Sequence, residues 1–379
     1  MAPRIGIVAG EASGDLLGAH LVRAIRERLP DAEFVGVGGP KMLSAGVNSI
    51  FPMEKLAVMG YVEVLKRYFE ITSIRRKLIR HFKSNPPDIF IGVDAPDFNL
   101  DIEMELKQAG IHTVHYVSPS IWAWRKERIN KIRKSCSRVL TLFPFEKRLY
   151  DEAGIAADYV GHPLADIIPE SSDRAAMRRH MKLPLDGKIF AFLPGSRQSE
   201  LHYMADTFIL TAKKIREKWP EARFLVPLAS RETRNLFEEA IYRNQAEEVG
   251  FTLLFGHALD AMIAADIVLV ASGTATLEAA LLKRPMVITY KMAPLTYSLK
   301  KRKKYQPYVG LPNILSGKFV VPELIQEEAT PENLANALVN LIQDEPVVRK
   351  LEGLFSEIHC SLRQNAAVKA TSAILPMLT

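Results

Sequence analysis

Residues 4–29, RIGIVAGEASGDLLGAHLVRAIRERL, decide the class of fold. The apolar run from Arg4 to Gly10 reads as a buried strand, and from Asp15 onward the apolar residues recur at helical spacing. A strand that turns directly into a helix opens a doubly wound α/β fold, and such folds usually cradle a phosphate at this junction. Gly10, Ser13 and Gly14 supply the tight turn. The spacing matches neither G-x-G-x-x-G nor G-x-x-x-x-G-K-[ST], and Glu11 and Asp15 would repel an anion. The fold is of a nucleotide-binding type, yet its first loop is acidic.

The alternation continues along the 379 residues. FVGVGG, DIFIGVD, HTVHYVS and RVLTLF follow as strands of a first half; KIFAFLPG, RFLVPLA, FTLLFG, IVLVAS and PMVITY form a second. Helix-length amphipathic stretches lie between most of them, which predicts a parallel sheet in each half. Pro163, Pro169, Ser171 and Ser172 break the pattern between residues 162 and 172. The expected architecture is α/β, with two doubly wound, Rossmann-like domains over 1–165 and 166–349 facing a central cleft. A C-terminal helix near 350–379 is expected to pack back on the first domain. Ligands should bind at the C-terminal ends of the strands.

Composition narrows the class further. Hydrophobic content of 48% and charged content of 25% describe a globular chain, and no apolar run approaches the roughly 18 residues that span a bilayer. Cys136 and Cys360 make neither a disulfide framework nor a metal spacing. The N-terminus enters a strand at once, with no signal-peptide pattern, so a cytoplasmic location is expected. The net charge of +7 is unevenly spread. Residues 61–83 carry seven Lys/Arg against two Glu, residues 122–134 carry six against one, and 300–304 are all basic. Such clusters attract nucleic acid, an anionic lipid surface or a phosphorylated ligand. No nucleic-acid module accompanies the charge, and the aromatics do not interleave as stacking platforms. Nucleic acid is therefore not an expected partner.

The missing anion site reads out of the second half. In FLPGSRQSE, Gly195 permits close backbone approach, Ser196 follows it as a candidate binding residue, and Arg197 supplies a fork of donors matched to phosphate oxygens. The alternative is a plain turn with a surface arginine. In VLVASGTATLEAALL, Ser272, Gly273 and Thr274 open a helix whose exposed N–H groups, with the hydroxyls of Ser272, Thr274 and Thr276, suit an anion. Glu278, one turn in, is placed to accept from ribose hydroxyls; the alternative for these residues is ordinary capping. D-x-D occurs nowhere in the chain, so neither a metal nor another cofactor is expected, and Arg197 with the helix dipole must neutralise the diphosphate.

The stretches GEASGD, MGYVEVL, GVDAPDFN, HYVSPSIWAWR, LPGSR, ASGTATLE, LPNIL and PELIQEE together resemble the lipid-A-disaccharide synthase family over essentially the whole chain. The resemblance implies an inverting, metal-independent glycosyltransferase of the two-Rossmann (GT-B) type. Its substrates would be UDP-2,3-diacylglucosamine and 2,3-diacylglucosamine 1-phosphate (lipid X), used at the cytoplasmic face of the inner membrane of a Gram-negative bacterium. An epimerase-like or other lipid-free UDP-sugar enzyme of the same architecture is the competing reading.

Inverting transfer needs a base for the attacking 6-hydroxyl. Asp94, closing the strand DIFIGVD, is the expected base, with Glu11 as its partner or as the base in its place; Asp97 and Asn99 would orient that loop, unless Asp94 and Asp97 simply cap the following helix. Asn313 and Gln326 are expected to reach sugar or phosphate, with a turn role open for Asn313. His115 reads as a packed polar residue. Val62, Leu65, Phe69, Ile74, Leu78 and Phe82 lie near helical spacing among basic residues, which suits a helix in an anionic interface. A solvated helix packed on its own domain is the alternative. Trp122 and Trp124 beside Arg125 and Lys126 extend that surface. A homodimer is left open.

Overall fold

The computed structural model describes residues 2–56, 61–123, 126–294, 296–298 and 306–378, with the backbone alone over 61–68. The chain divides into two compact units, one of residues 1–166 with 361–379 and one of residues 167–360.

The first unit holds a parallel sheet of β1 (Arg4–Ala9), β2 (Glu33–Val37), β3 (Val47–Ser49), β4 (Ile89–Val93), β5 (His112–Tyr116), β6 (Arg138–Thr141) and β7 (Ala157–Tyr159). Their spatial order is β3-β2-β1-β4-β5-β6-β7. Both faces are covered, as an all-parallel sheet requires. Ile5, Ile7, Ile89, Ile91 and Val114 pack on one side with Leu21, Val22 and Ile25 of the helix Ala12–Arg28. Val8, Val37 and Phe90 pack on the other, against Leu78 and Phe82 of the helix Tyr61–Ser84. The period of two in β1 thus divides its side chains between two cores.

The second unit repeats the plan with β8 (Ile189–Leu193), β9 (Arg223–Leu228), β10 (Phe251–Phe255), β11 (Ile267–Ala271), β12 (Met286–Tyr290) and β13 (Glu323–Ile325). The order is β10-β9-β8-β11-β12-β13, again parallel. Strand order reverses between β1 and β4 in one sheet and between β8 and β11 in the other, which is where doubly wound folds bind ligands.

The return of the chain to the first unit begins at Ser361 instead of near residue 350. Asp166 fixes it by accepting from the backbone N–H groups of Asn365 and Ala366, at 2.9 and 2.7 Å, at the start of the helix Ala366–Ile374. Ala370 and Ile374 of that helix then join the core beside the helix Ala12–Arg28. Among the described residues no helix is long and apolar enough to cross a membrane.

Two expectations for the basic segments need correction. Ile74, Leu78 and Phe82 do form a helical stripe, but it is buried in the core and unavailable to a bilayer. Trp122 is also buried; its indole N–H donates to Glu146 at 3.0 Å and its ring meets Phe143 and Phe145 edge-on. Phe69 is 82% exposed. The side chains of Val62 and Leu65, together with Trp124, Arg125 and residues 300–304, lie outside the described residues.

Candidate active site

Glu11 and Asp94 follow β1 and β4, the two strands at the reversal point of the first sheet, where Ala9 pairs with Val93. Glu11 is exposed at the N-cap of the helix Ala12–Arg28, and its side chain makes no capping bond. The second acid of that loop behaves differently. Asp15 is 3% exposed, and its carboxylate accepts from the N–H groups of Gly39 (2.8 Å), Met42 (2.9 Å) and Lys41 (3.0 Å). A Cβ on Gly39 would lie 2.7 Å from this carboxylate, so the close approach depends on glycine. Asp15 is a brace between the first helix and the start of the helix Pro40–Ser44. The acidic mouth therefore contains one structural carboxylate and one exposed one.

Asp94 and Ala95 both have positive φ, 53° and 44°, which costs energy for residues other than glycine. Surrounding bonds hold them there. Asp94 N–H donates to Tyr116 O at 2.8 Å. The buried Asn99 amide donates to the carbonyls of Val8, Val93 and Asp94, at 3.2, 3.4 and 2.8 Å. Non-glycine strain imposed at a strand end is characteristic of functional sites. Asp97 does not cap the following helix: the N-cap is Ala95, and Asp97 sits in the first turn, paired with Arg128.

His115 is fully buried, its Nδ1 2.7 Å from Glu103 Oε1, while the Cys136 thiol donates to Glu103 Oε2 at 3.3 Å. Sequence reading missed this cluster because its members are far apart in the chain. It is the group of potential metal donors among the described residues. Its donors already bond one another, and burial with the neighbouring Glu103 carboxylate pushes the Cys136 thiol up, away from the thiolate a metal needs. The trio ties the helix Pro96–Gln108 to β5.

In the second unit a cavity of about 390 Å³ opens at the C-terminal ends of β8, β9, β10 and β11. Gly195, Ser196, Arg197, Ser272, Gly273, Thr274 and Glu278 all line it. Pro227, Leu228, Ala229, Gly256 and Ala258 add a small, mostly apolar wall that carries no motif and was not legible in advance. Arg197 leaves 56% of its side chain exposed. Ser272 Oγ is turned to the Val309 carbonyl at 3.0 Å. Burial pushes the Glu278 carboxyl above its ordinary value.

Three other residues expected to touch a ligand have their polar groups bonded within the protein. Thr276 is fully buried; its hydroxyl donates to Gly273 O (2.8 Å) and accepts from Leu311 N–H (3.3 Å). Asn313 is likewise fully buried. Its oxygen accepts from the N–H groups of Val320 and Val321, and its NH₂ donates to Val321 O and Glu323 Oε1. Gln326 exchanges two hydrogen bonds with the Met292 backbone, at 2.6 and 3.0 Å. Each side chain holds a loop whose backbone would otherwise bury unpaired polar groups.

A family model described as lipid-A-disaccharide synthetase matches residues 5–375. The chain belongs to the lipid-A-disaccharide synthase family. The lipid-A-disaccharide synthase of Dechloromonas aromatica (strain RCB) is 61% identical over 378 residues, covering 100% of this chain and 99% of the relative. That of Pseudomonas aeruginosa PAO1 is 49% identical over 375 residues, covering 99% and 98%. Among solved structures, a UDP-GlcNAc 2-epimerase from Neisseria meningitidis bound to UDP-GlcNAc superposes with a TM-score of 0.65 at 12% identity, covering 99% of this chain and 100% of that one. HepE of Anabaena, in complex with UDP and glucose, gives 0.58 at 14% identity over 99% and 100%. At such identities the likeness is one of fold, shared by epimerases and transferases alike. Family membership separates the two, and makes this lipid-A-disaccharide synthase homologue a glycosyltransferase.

Proposed function

We propose that the enzyme transfers 2,3-diacylglucosamine from UDP-2,3-diacylglucosamine to the 6-hydroxyl of 2,3-diacylglucosamine 1-phosphate, giving the β-1′,6-linked disaccharide 1-phosphate and UDP. The observation that carries this reading is the cavity at the reversal point of the second sheet, lined by Arg197, Ser272–Thr274 and Glu278, in a chain of this family. The diphosphate binds beside Arg197, the ribose hydroxyls donate to Glu278, and the base lies against the apolar wall. Asp94, assisted by Glu11, takes the proton from the attacking hydroxyl. The oxygen forms a bond to C1 on the face opposite UDP, the C1–O bond to the diphosphate breaks, and its electron pair leaves with UDP. Arg197 offsets the charge that develops there, which supports reading the enzyme as a metal-independent transferase of the GT-B type. Incubation with both acylated glucosamines should yield UDP and the disaccharide by mass spectrometry, with turnover unchanged in EDTA. Either failure refutes the corresponding part.

Lipid substrates favour attachment of the enzyme to an anionic membrane, the cytoplasmic face of the inner membrane in a Gram-negative cell. On the helix Tyr61–Ser84 the exposed Phe69, Arg76, Lys77 and Arg80 support that attachment. Flotation with anionic but not neutral liposomes, reversed by salt, tests it.

A further inference from the structure

Glu200 lies at the third position of the helix Gln198–Lys218 and lines the cavity, and the reaction just described gives it no task. Its side chain is 9% exposed. One oxygen, Oε2, accepts from the N–H groups of Ser196 and Arg197 at 2.9 and 3.1 Å. The other, Oε1, accepts from Arg197 Nη1 and from the Tyr290 hydroxyl, each at 3.1 Å. Gly195 has φ +125°, and a Cβ there would lie 2.5 Å from Oε2, so the turn is shaped around this carboxylate.

The backbone donors that a PGSR turn was expected to offer a phosphate are therefore already taken by the chain's own anion. What remains for a diphosphate is the rest of the Arg197 guanidinium. Arginine has five N–H donors in a rigid plane; holding Nη1 on a carboxylate fixes that plane while leaving other donors to face the cavity. An arginine more than half exposed would otherwise spread over many rotamers. Tyr290, at the end of β12, holds the same oxygen from a different strand. Burial and the facing carboxylate push its hydroxyl up to about 12, so it stays a donor at any working pH.

We propose that Glu200 is a positioning residue: its carboxylate shapes the 194–197 turn and anchors one edge of the Arg197 guanidinium so that the remaining donors meet the diphosphate of the nucleotide substrate. The inference rests on the cavity being the UDP site. It differs from a competing picture in which the carboxylate occupies the phosphate position and must be expelled, because the two predict opposite signs.

Calorimetric titration of UDP and of uridine into wild type, E200Q, E200A, Y290F and R197A decides the matter. In E200Q the amide oxygen can keep both backbone N–H bonds while its NH₂ cannot hold Nη1, so the turn survives and the anchor is lost. UDP should bind about tenfold more weakly to E200Q, the equivalent of about 1.4 kcal/mol. It should bind more weakly still to E200A, and slightly more weakly to Y290F. Uridine, which has no phosphate, should bind all three as it binds wild type. Unchanged UDP affinity in E200Q, or equal loss for UDP and uridine, overturns the proposal, and tighter UDP binding establishes the competing picture. If E200A does not fold, E200Q and Y290F carry the same test. R197A separates the two levels: unchanged UDP affinity there refutes the placement of the diphosphate itself, whatever Glu200 does.

Discussion

Replacing Glu146 by glutamine should change how stability depends on pH, by an amount that follows from its surroundings. Glu146, in the helix Pro144–Glu152, is 2% exposed. Oε2 accepts from the N–H groups of Leu142 (3.1 Å) and Phe143 (3.0 Å), and Oε1 from the Trp122 indole. Burial outweighs these bonds and pushes the carboxyl from 4.5 up to about 7. A carboxyl raised in the folded state binds a proton on folding between those two values. Its contribution is complete below pH 4.5 and is lost as the pH rises through 7. The gap corresponds to about 3 kcal/mol, at 1.36 kcal/mol per unit. His162, whose ring lies beside Phe143, works in the other direction, since burial lowers it to about 4 and its contribution is lost as pH falls from 6.5. It is present in wild type and variant alike, so the difference between their curves isolates Glu146. Urea denaturation of both proteins from pH 4.5 to 8 should show wild type losing about 3 kcal/mol relative to E146Q as pH rises. A constant offset between the two curves would refute the reasoning, because a lost hydrogen bond to Trp122 shifts the level and not the slope.

Asp15→Ala should strand three N–H groups at Gly39, Lys41 and Met42 and cost about 3 kcal/mol or more, since bonds to a charged acceptor contribute more than neutral ones; a thermal midpoint within a degree or two of wild type would count against the brace. Glu278→Gln should weaken UDP binding through the ribose contact. Because the Glu278 carboxyl is raised by burial, wild-type affinity should fall as acidification protonates it, whereas the variant should stay flat. Calorimetry giving the same affinity for both proteins across that range would remove Glu278 from the ribose.

The long strands and helices were legible because their periods are local properties of the chain. β3, β7 and β13 were not: each is three residues long, too short to display a period, and exists because a neighbour offers it an edge. The cavity was half legible. Glycine, serine and arginine after a buried strand mark a turn with donors, and Arg197, Ser272, Gly273 and Thr274 do line it. Polar residue type does not tell which way a side chain faces. Thr276, Asn313 and Gln326 carry the same chemistry as a sugar contact and use it on backbone groups of their own loops. Glu146 and Glu200 had a local sign, a glutamate at the third position of a helix, which is the position from which a carboxylate reaches back to backbone N–H groups.

The helix Tyr61–Ser84 illustrates the same limit for apolar residues. Ile74, Leu78 and Phe82 are four apart, the spacing of one helical face, and that spacing serves a bilayer or a protein core equally well. The deciding fact lies on the partner surface. Gly6 in β1 leaves room for Phe82 and Phe90, since a Cβ there would come within 3.0 Å of one ring and 3.1 Å of the other. The two rings meet edge-on at 5.3 Å between centroids. A sheet that reserves space for a phenylalanine claims the stripe that carries it, and Phe69, 82% exposed and one residue off the 74–78–82 spacing, is left on the outer surface. Among the described side chains of this helix, membrane attachment therefore falls to the exposed Phe69 with Arg76, Lys77 and Arg80 and not to the stripe, so Phe69→Ser should weaken liposome binding without lowering the melting temperature. Loss of both together would place Phe69 in the core with the others.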